Sequence, residues 1–225
     1  MPAPDSAKAE ATFFRPQDEL AIHRGNLPHW RQNQVTYFVT ARLADSMPQD
    51  KLREWRQKRS LWLAAHGLGK LSEVHLLPDD QQHEFHFLFT KQWHAWLDTG
   101  FGECHLRLAD AREILIKRLL AESSLDAWVI MPNHRHALVS PKDQTLGEVM
   151  QSWKGGSSFA INRCLGRSGI LWQKEAYDHI VRSEEQLLHY RRYIAENPLK
   201  AKPRADEYAV GIGNQVFNST EEMTK

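Results

Sequence analysis

Residues 126–140, DAWVIMPNHRHALVS, constrain the fold more than any other stretch of this chain. An apolar run, DAWVIM, meets a Pro-Asn pair of the kind tight turns favour, and HRHALVS then resumes an alternating pattern. Strands joined by so short a connection pair antiparallel, so the segment predicts a β-hairpin within an antiparallel sheet. Alternation also fixes the faces. His134 and His136 leave the same side of their strand and Arg135 leaves the other.

The remaining elements fall around this hairpin. Residues 34–43 (QVTYFVTARL) alternate with β-branched and aromatic residues and predict a central strand. Residues 47–65 predict a helix entered at Pro48 and ended by Gly67 and Gly69. Residues 83–90 (HEFHFLFT) suit either a strand or a helix. Residues 110–123 predict an amphipathic helix, with Asp110 as N-cap and Glu113 three residues on. A helix over 145–164 with a weak point at Gly155-Gly156, a short strand within 170–181 and a last helix over 183–197 complete the order. That order predicts an α+β fold, a ferredoxin-like antiparallel sheet with helices on one face and a helical insertion, residues 46–108, after the first strand. The expected organisation is an N-terminal arm (1–26), a single domain (27–204) and an acidic, flexible tail (205–225).

Composition narrows the function classes. With 41% hydrophobic and 25% charged residues, the chain has the make-up of a globular protein with a sizeable core. It holds no apolar run near the roughly 18 residues of a membrane span, and its first twenty residues carry acids and Pro but no apolar stretch. The two cysteines, Cys104 and Cys164, are far apart and form no CxxC pair, which argues against a disulfide framework or a cysteine-based zinc knuckle. A cytoplasmic setting is expected. The net charge of +1 conceals a segregated distribution, since residues 151–204 hold ten Lys/Arg against five acids and the last 21 residues are acidic. Lys154, Arg163, Arg182, Arg191 and Arg192 in that basic region, with Trp172 among them, are candidates for phosphate contact and base stacking. Taken singly, each basic side chain suits a solvated helix face better than a phosphate contact, and most of the eight tryptophans are expected in the core.

The same-face spacing of His134 and His136 suits two imidazoles converging on one cation. Such a pair also arises in core hydrogen bonding, so a third ligand is required. The HxHxDH pattern of metallo-β-lactamase-like hydrolases fails because neither Asp nor His follows within four residues of His136, and too few residues remain to complete a barrel amidohydrolase. The last helix opens with a capping box, Ser183 with Gln186, and its pattern ends at Asn197-Pro198. Tyr193 and Asn197, about 40° apart on the helical wheel, share one face, with Leu187 and Ile194 turned toward a neighbouring sector. Viewed alone, Tyr193 is a half-buried core aromatic and Asn197 a helix C-cap.

These residues together resemble a known family, the REP-associated tyrosine transposases, relatives of the single-strand insertion-sequence transposases that carry a HUH motif (His, bulky apolar residue, His). MPNHRHALVSP at 131–141 is similar to the family's metal-binding hairpin. Residues 151–201 are similar to its C-terminal block, ending in the YIxxNPxKA signature, and residues 23–46 resemble its longer N-terminus. The resemblance implies that Tyr193 is the nucleophile, that His134 and His136 bind Mg²⁺ or Mn²⁺, and that Asn197 is the third ligand. Arg135 departs from the pattern, standing where a bulky apolar residue is usual; a solvated or snorkelling side chain is expected for it. The implied activity is metal-dependent cleavage and transfer of single-stranded or hairpin DNA through a 5′-phosphotyrosine, by a cytoplasmic, nucleoid-associated protein working as a monomer. Two other readings stand beside it: a DNA-hairpin-binding descendant that no longer cuts, and a metal-dependent phosphodiester hydrolase that activates water.

Overall fold

The computed structural model describes residues 11–24, 28–91, 100–122 and 124–217. Two short strands, β1 (Ala21–Arg24) and β2 (Pro28–Arg31), pair with each other. The described part of the arm is tied to the sheet, since Phe14 donates its N–H to the Val181 carbonyl (3.0 Å) and Thr36 donates to that of Thr12 (2.7 Å). Strand β3 (Tyr37–Arg42) follows, then the insertion, which contains helices α1 (Gln49–Ala65) and α2 (Asp79–Phe85) and a π-helical turn, His86–Lys91. Trp55, Leu63, Val74, Phe85 and Phe89 give this insertion a small core of its own. Helix α3 (Ala109–Leu120), the hairpin β4 (Leu125–Ile130) and β5 (His134–Val139), helix α4 (Leu146–Cys164), strand β6 (Tyr177–Ile180) and helix α5 (Glu184–Ala201) come next. Strands β7 (Ala209–Ile212) and β8 (Gln215–Phe217) end the described chain.

Six strands form one antiparallel sheet in the order β6-β3-β5-β4-β7-β8. The expected α+β architecture with its insertion is present, and several details differ from expectation. The helices divide between two faces. Ala111, Leu115 and Leu119 of α3 and Val149, Trp153 and Ile161 of α4 pack with Val39, Trp128 and Ala137 on one side. Leu187 and Ile194 of α5 pack with Phe38, Val129 and Leu138 on the other. The final segment is not wholly a tail, because residues 209–217 form a hairpin that extends the sheet; residues 218–225 lie outside the described residues. Helix α3 is entered from Leu108 without a side-chain cap, and Asp110 sits inside the first turn, where its charge suits the helix dipole.

Helix α4 runs unbroken through Gly155-Gly156, capped by Thr145, whose Oγ1 accepts from the Glu148 N–H at 3.3 Å. Helix α5 is capped by Ser183, whose Oγ accepts from the Gln186 N–H at 3.2 Å, while Gln186 Oε1 accepts from Arg182 N–H at 2.8 Å. It does not stop at Pro198. The proline removes one bond in the last turn, Asn197 and Pro198 are buried, and the helix continues to Ala201, where Lys202 turns left-handed at φ 51°. Among the described residues, no helix is long and apolar enough to cross a membrane.

Candidate metal and nucleophile site

Strand β5 lies at the middle of the sheet, between β3 and β4, and its pairing decides the surroundings of its histidines. His134 stands opposite Arg42, and His136 opposite Thr40 on β3 and Val129 on β4. Paired residues of an antiparallel ladder share a face, so His134, His136, Thr40 and Phe38 all look toward α5. Both histidines are buried, at 1% and 0% exposure. Their rings meet edge-on with centroids 4.8 Å apart.

Each imidazole is held through Nδ1. His136 Nδ1 lies 2.7 Å from Thr40 Oγ1, and His134 Nδ1 lies 2.7 Å from Asn133 Oδ1. Holding one ring nitrogen in this way orients the other, Nε2, for a cation. Phe38 stacks on His136 from below, with centroids 5.4 Å apart and planes 15° from parallel.

Helix α5 brings Tyr193 to the same place. Its ring packs edge-on against His136 at 5.1 Å and against Phe38 at 5.8 Å. Lys200, two turns on, sets its ammonium 5.6 Å from the Tyr193 ring centre. Tyr190, one turn earlier, is stacked flat on Phe38 at 4.2 Å, and burial pushes its phenol well above the usual range, so that ring behaves as packing. Asn197 is fully buried on α5, one turn beyond Tyr193, and among the described residues neither atom of its amide has a hydrogen-bond partner. Because α5 continues past it, Asn197 is not a helix cap. A buried amide with no partner is costly, about 1–3 kcal/mol, and its oxygen is a hard donor of the kind Mg²⁺ and Mn²⁺ accept. Two imidazoles and an amide oxygen fit a divalent cation by donor chemistry. Among the described residues no cluster of three His, Cys, Asp or Glu side chains is present.

The basic candidates separate by environment. Arg163, Arg182 and Arg192 are exposed. Arg182 also lies over the Trp30 ring at 5.6 Å. Arg191 is ion-paired with Asp126 at 2.9 Å and Lys154 donates to the carbonyls of Gln173 (2.6 Å) and Lys174 (2.8 Å), so both charges serve the fold. Trp172 corrects the expectation of a stacking surface: it is 4% exposed, its indole donates to Ser157 Oγ at 2.9 Å, and its backbone bridges to Leu43.

Arg135 is also corrected. It neither snorkels nor meets solvent but is fully buried on the opposite face, its guanidinium 4.4 Å from the centre of the Trp153 ring. Burial brings it down to about 9, still charged at neutral pH, and it joins desolvation in lowering Lys154 to about 8. Thr40, Asn133 and Phe38 were not legible as site residues, because which side chain stands beside each histidine depends on strand register.

No family model matches the sequence. An uncharacterized protein of Haemophilus influenzae is 29% identical over a stretch that makes up 33% of this chain and 54% of that protein, so the chain spans about half the length of this relative. A solved REP-associated tyrosine transposase bound to a REP hairpin is similar at a TM-score of 0.42 and 17% identity, over 79% of this chain and 74% of that one.

Proposed function

We propose that this protein is a metal-dependent single-strand DNA endonuclease and strand transferase that acts on hairpin DNA through a 5′-phosphotyrosine. The observation that carries the reading is the convergence on one sheet face of two Nδ1-held histidines and the Tyr193 ring, with a buried amide one turn on along the same helix that lacks a hydrogen-bond partner among the described residues.

His134, His136 and Asn197 would hold the cation, Mg²⁺ or Mn²⁺. When bound, such an ion withdraws charge from the scissile phosphate and so offsets the weak nucleophilicity of a tyrosine hydroxyl. Tyr193 gives up its hydroxyl proton and its oxygen attacks phosphorus; the phosphorus–O3′ bond breaks, and the departing oxygen takes up a proton to leave a free 3′-hydroxyl, with no net gain or loss of protons. One phosphodiester replaces another, so no water is consumed and a second 3′-hydroxyl can reverse the step. Phe38, His136 and the helix hold the tyrosine ring in place, which limits the orientations its oxygen samples. Exposed Arg163, Arg182 and Arg192 are the basic residues available to meet phosphates. A DNA substrate implies a cytoplasmic, nucleoid-associated setting, and a site built within one chain allows work as a monomer.

Hairpin oligonucleotides labelled at either end test this directly. With Mg²⁺ or Mn²⁺, the 3′ label should migrate with the protein on a denaturing gel, while the 5′ label leaves on a shortened fragment. Cleavage without any adduct would make water the nucleophile, and binding without cleavage across many hairpins would leave a non-catalytic DNA-binding protein.

A further inference from the structure

Asn133 precedes the first histidine and is 1% exposed, and its carbonyl and both ends of its side-chain amide are engaged. Its carbonyl accepts from Leu43 N–H at 2.9 Å, its Nδ2 donates to the Phe101 carbonyl at 3.1 Å, and its Oδ1 faces His134 Nδ1 at 2.7 Å. The Phe101 bond fixes which way the amide points, since a carbonyl there accepts only from the NH₂ end. Oδ1 is therefore the atom left for His134, and an acceptor in that place requires the proton on Nδ1. A neutral ring so held presents its lone pair at Nε2.

The partner on the far side of this relay belongs to the insertion. The loop 100–106 is itself anchored: Glu103 N–H donates to Asp45 Oδ2 at 2.9 Å and Leu106 N–H donates to the Pro132 carbonyl at 3.1 Å, while Cys104 Sγ, donating to the Gly100 carbonyl at 3.0 Å, closes the loop on itself. Gly102 adopts φ 94° against the Asp45 backbone, where a Cβ would lie 2.7 Å from the Asp45 carbonyl oxygen. The loop cannot swing without breaking these contacts.

We propose that Asn133 is a positioning residue through which the anchored insertion loop sets the tautomer and orientation of His134. Its consequence for the cation rests on the functional reading above, whereas the tautomer does not. Loss of an outer hydrogen-bond partner of a ligating histidine typically costs 10–100-fold in metal affinity.

Long-range proton–nitrogen correlation spectra of the histidine rings, recorded on metal-free full-length protein at a pH where imidazole is neutral, read the tautomer. Wild type should show His134 as the Nδ1–H form, and Asn133→Ala should shift it toward a mixture. Mn²⁺ titration followed by electron paramagnetic resonance should give binding at least about tenfold weaker in Asn133→Ala, at unchanged stoichiometry. An Nε2–H tautomer in wild type overturns the proposal without any variant, and so does an Asn133→Ala protein matching wild type in both tautomer and Mn²⁺ affinity. A wild type with the expected tautomer that binds no Mn²⁺ supports the relay and overturns the functional reading instead.

Discussion

Asn197 and Arg135 are polar side chains buried at a cost, and the two costs have different meanings. Asn197 is buried on α5 with neither amide atom bonded among the described residues, which on the proposed function is the cost of keeping a ligand for the cation. Asn197→Leu, of similar volume, should raise the melting temperature, since it removes an unsatisfied group worth about 1–3 kcal/mol, while Mn²⁺ binding is lost. A melting temperature lowered by several degrees would make Asn197 a structural residue. Arg135 lies on the opposite face, with Nε and Nη1 lacking a hydrogen-bond partner among the described residues. An uncompensated buried charge costs several kcal/mol, and a cation–π contact with Trp153 returns about 2. Arg135→Met should therefore stabilise the fold and leave Mn²⁺ binding unchanged, as thermal melts and titration would show; a large loss of stability would mean the charge is compensated. The same-face placement of the two histidines was legible from alternation alone. The burial of Arg135 was not, because alternation gives a direction and does not say that α4 covers that side.

At the scale of elements, sequence periodicity was informative wherever one period dominated. Residues 83–90 fit two periods. The structure resolves the choice by burying Phe85 and Phe89, four apart on a helical face, and exposing Phe87 at 62%. A strand would have put all three on one side. The hairpin of β7 and β8 carries only a short signal, Gly213-Asn214 between runs of three or four residues, and it lies within an acidic C-terminal segment whose composition favours a tail. This hairpin is locked to β4. The Trp128 indole donates to the Gly213 carbonyl at 3.1 Å, and its ring lies so close over Gly211 that a Cβ there would collide with it and with the Gln215 carbonyl. Gly211→Ala should cost about 1–3 kcal/mol, lowering the melting temperature by ~2–4 °C for each. A melt indistinguishable from wild type would show that the edge hairpin contributes little.

For the whole molecule, the decisive feature is that the sheet order gathers residues from distant parts of the sequence. Strand β5 supplies both histidines, β3 supplies Thr40 and Phe38, the insertion supplies the Phe101 carbonyl, and α5 lays Tyr193 across them. The order of the core strands and helices from β3 to α5, outside the insertion, was legible, as was the pair of histidines. The division of helices between two faces was not, since an apolar stripe says that a helix is buried but not against which side of the sheet. That division matters, because a helix on the other face would leave Tyr193 with no histidine to meet. The central claim is that Tyr193 is the residue that becomes joined to DNA. Trypsin separates it from its neighbour: cleavage after Arg191 and Arg192 leaves Tyr190 in one peptide and Tyr193 as the sole tyrosine of residues 193–200, YIAENPLK. Mass spectrometry of a nuclease-trimmed, trypsin-digested adduct should find the nucleotide phosphate on that peptide, and Tyr193→Phe should bind the hairpin with near wild-type affinity yet yield no adduct. A phosphate found on the peptide that carries Tyr190, or an adduct formed by Tyr193→Phe, would contradict the account.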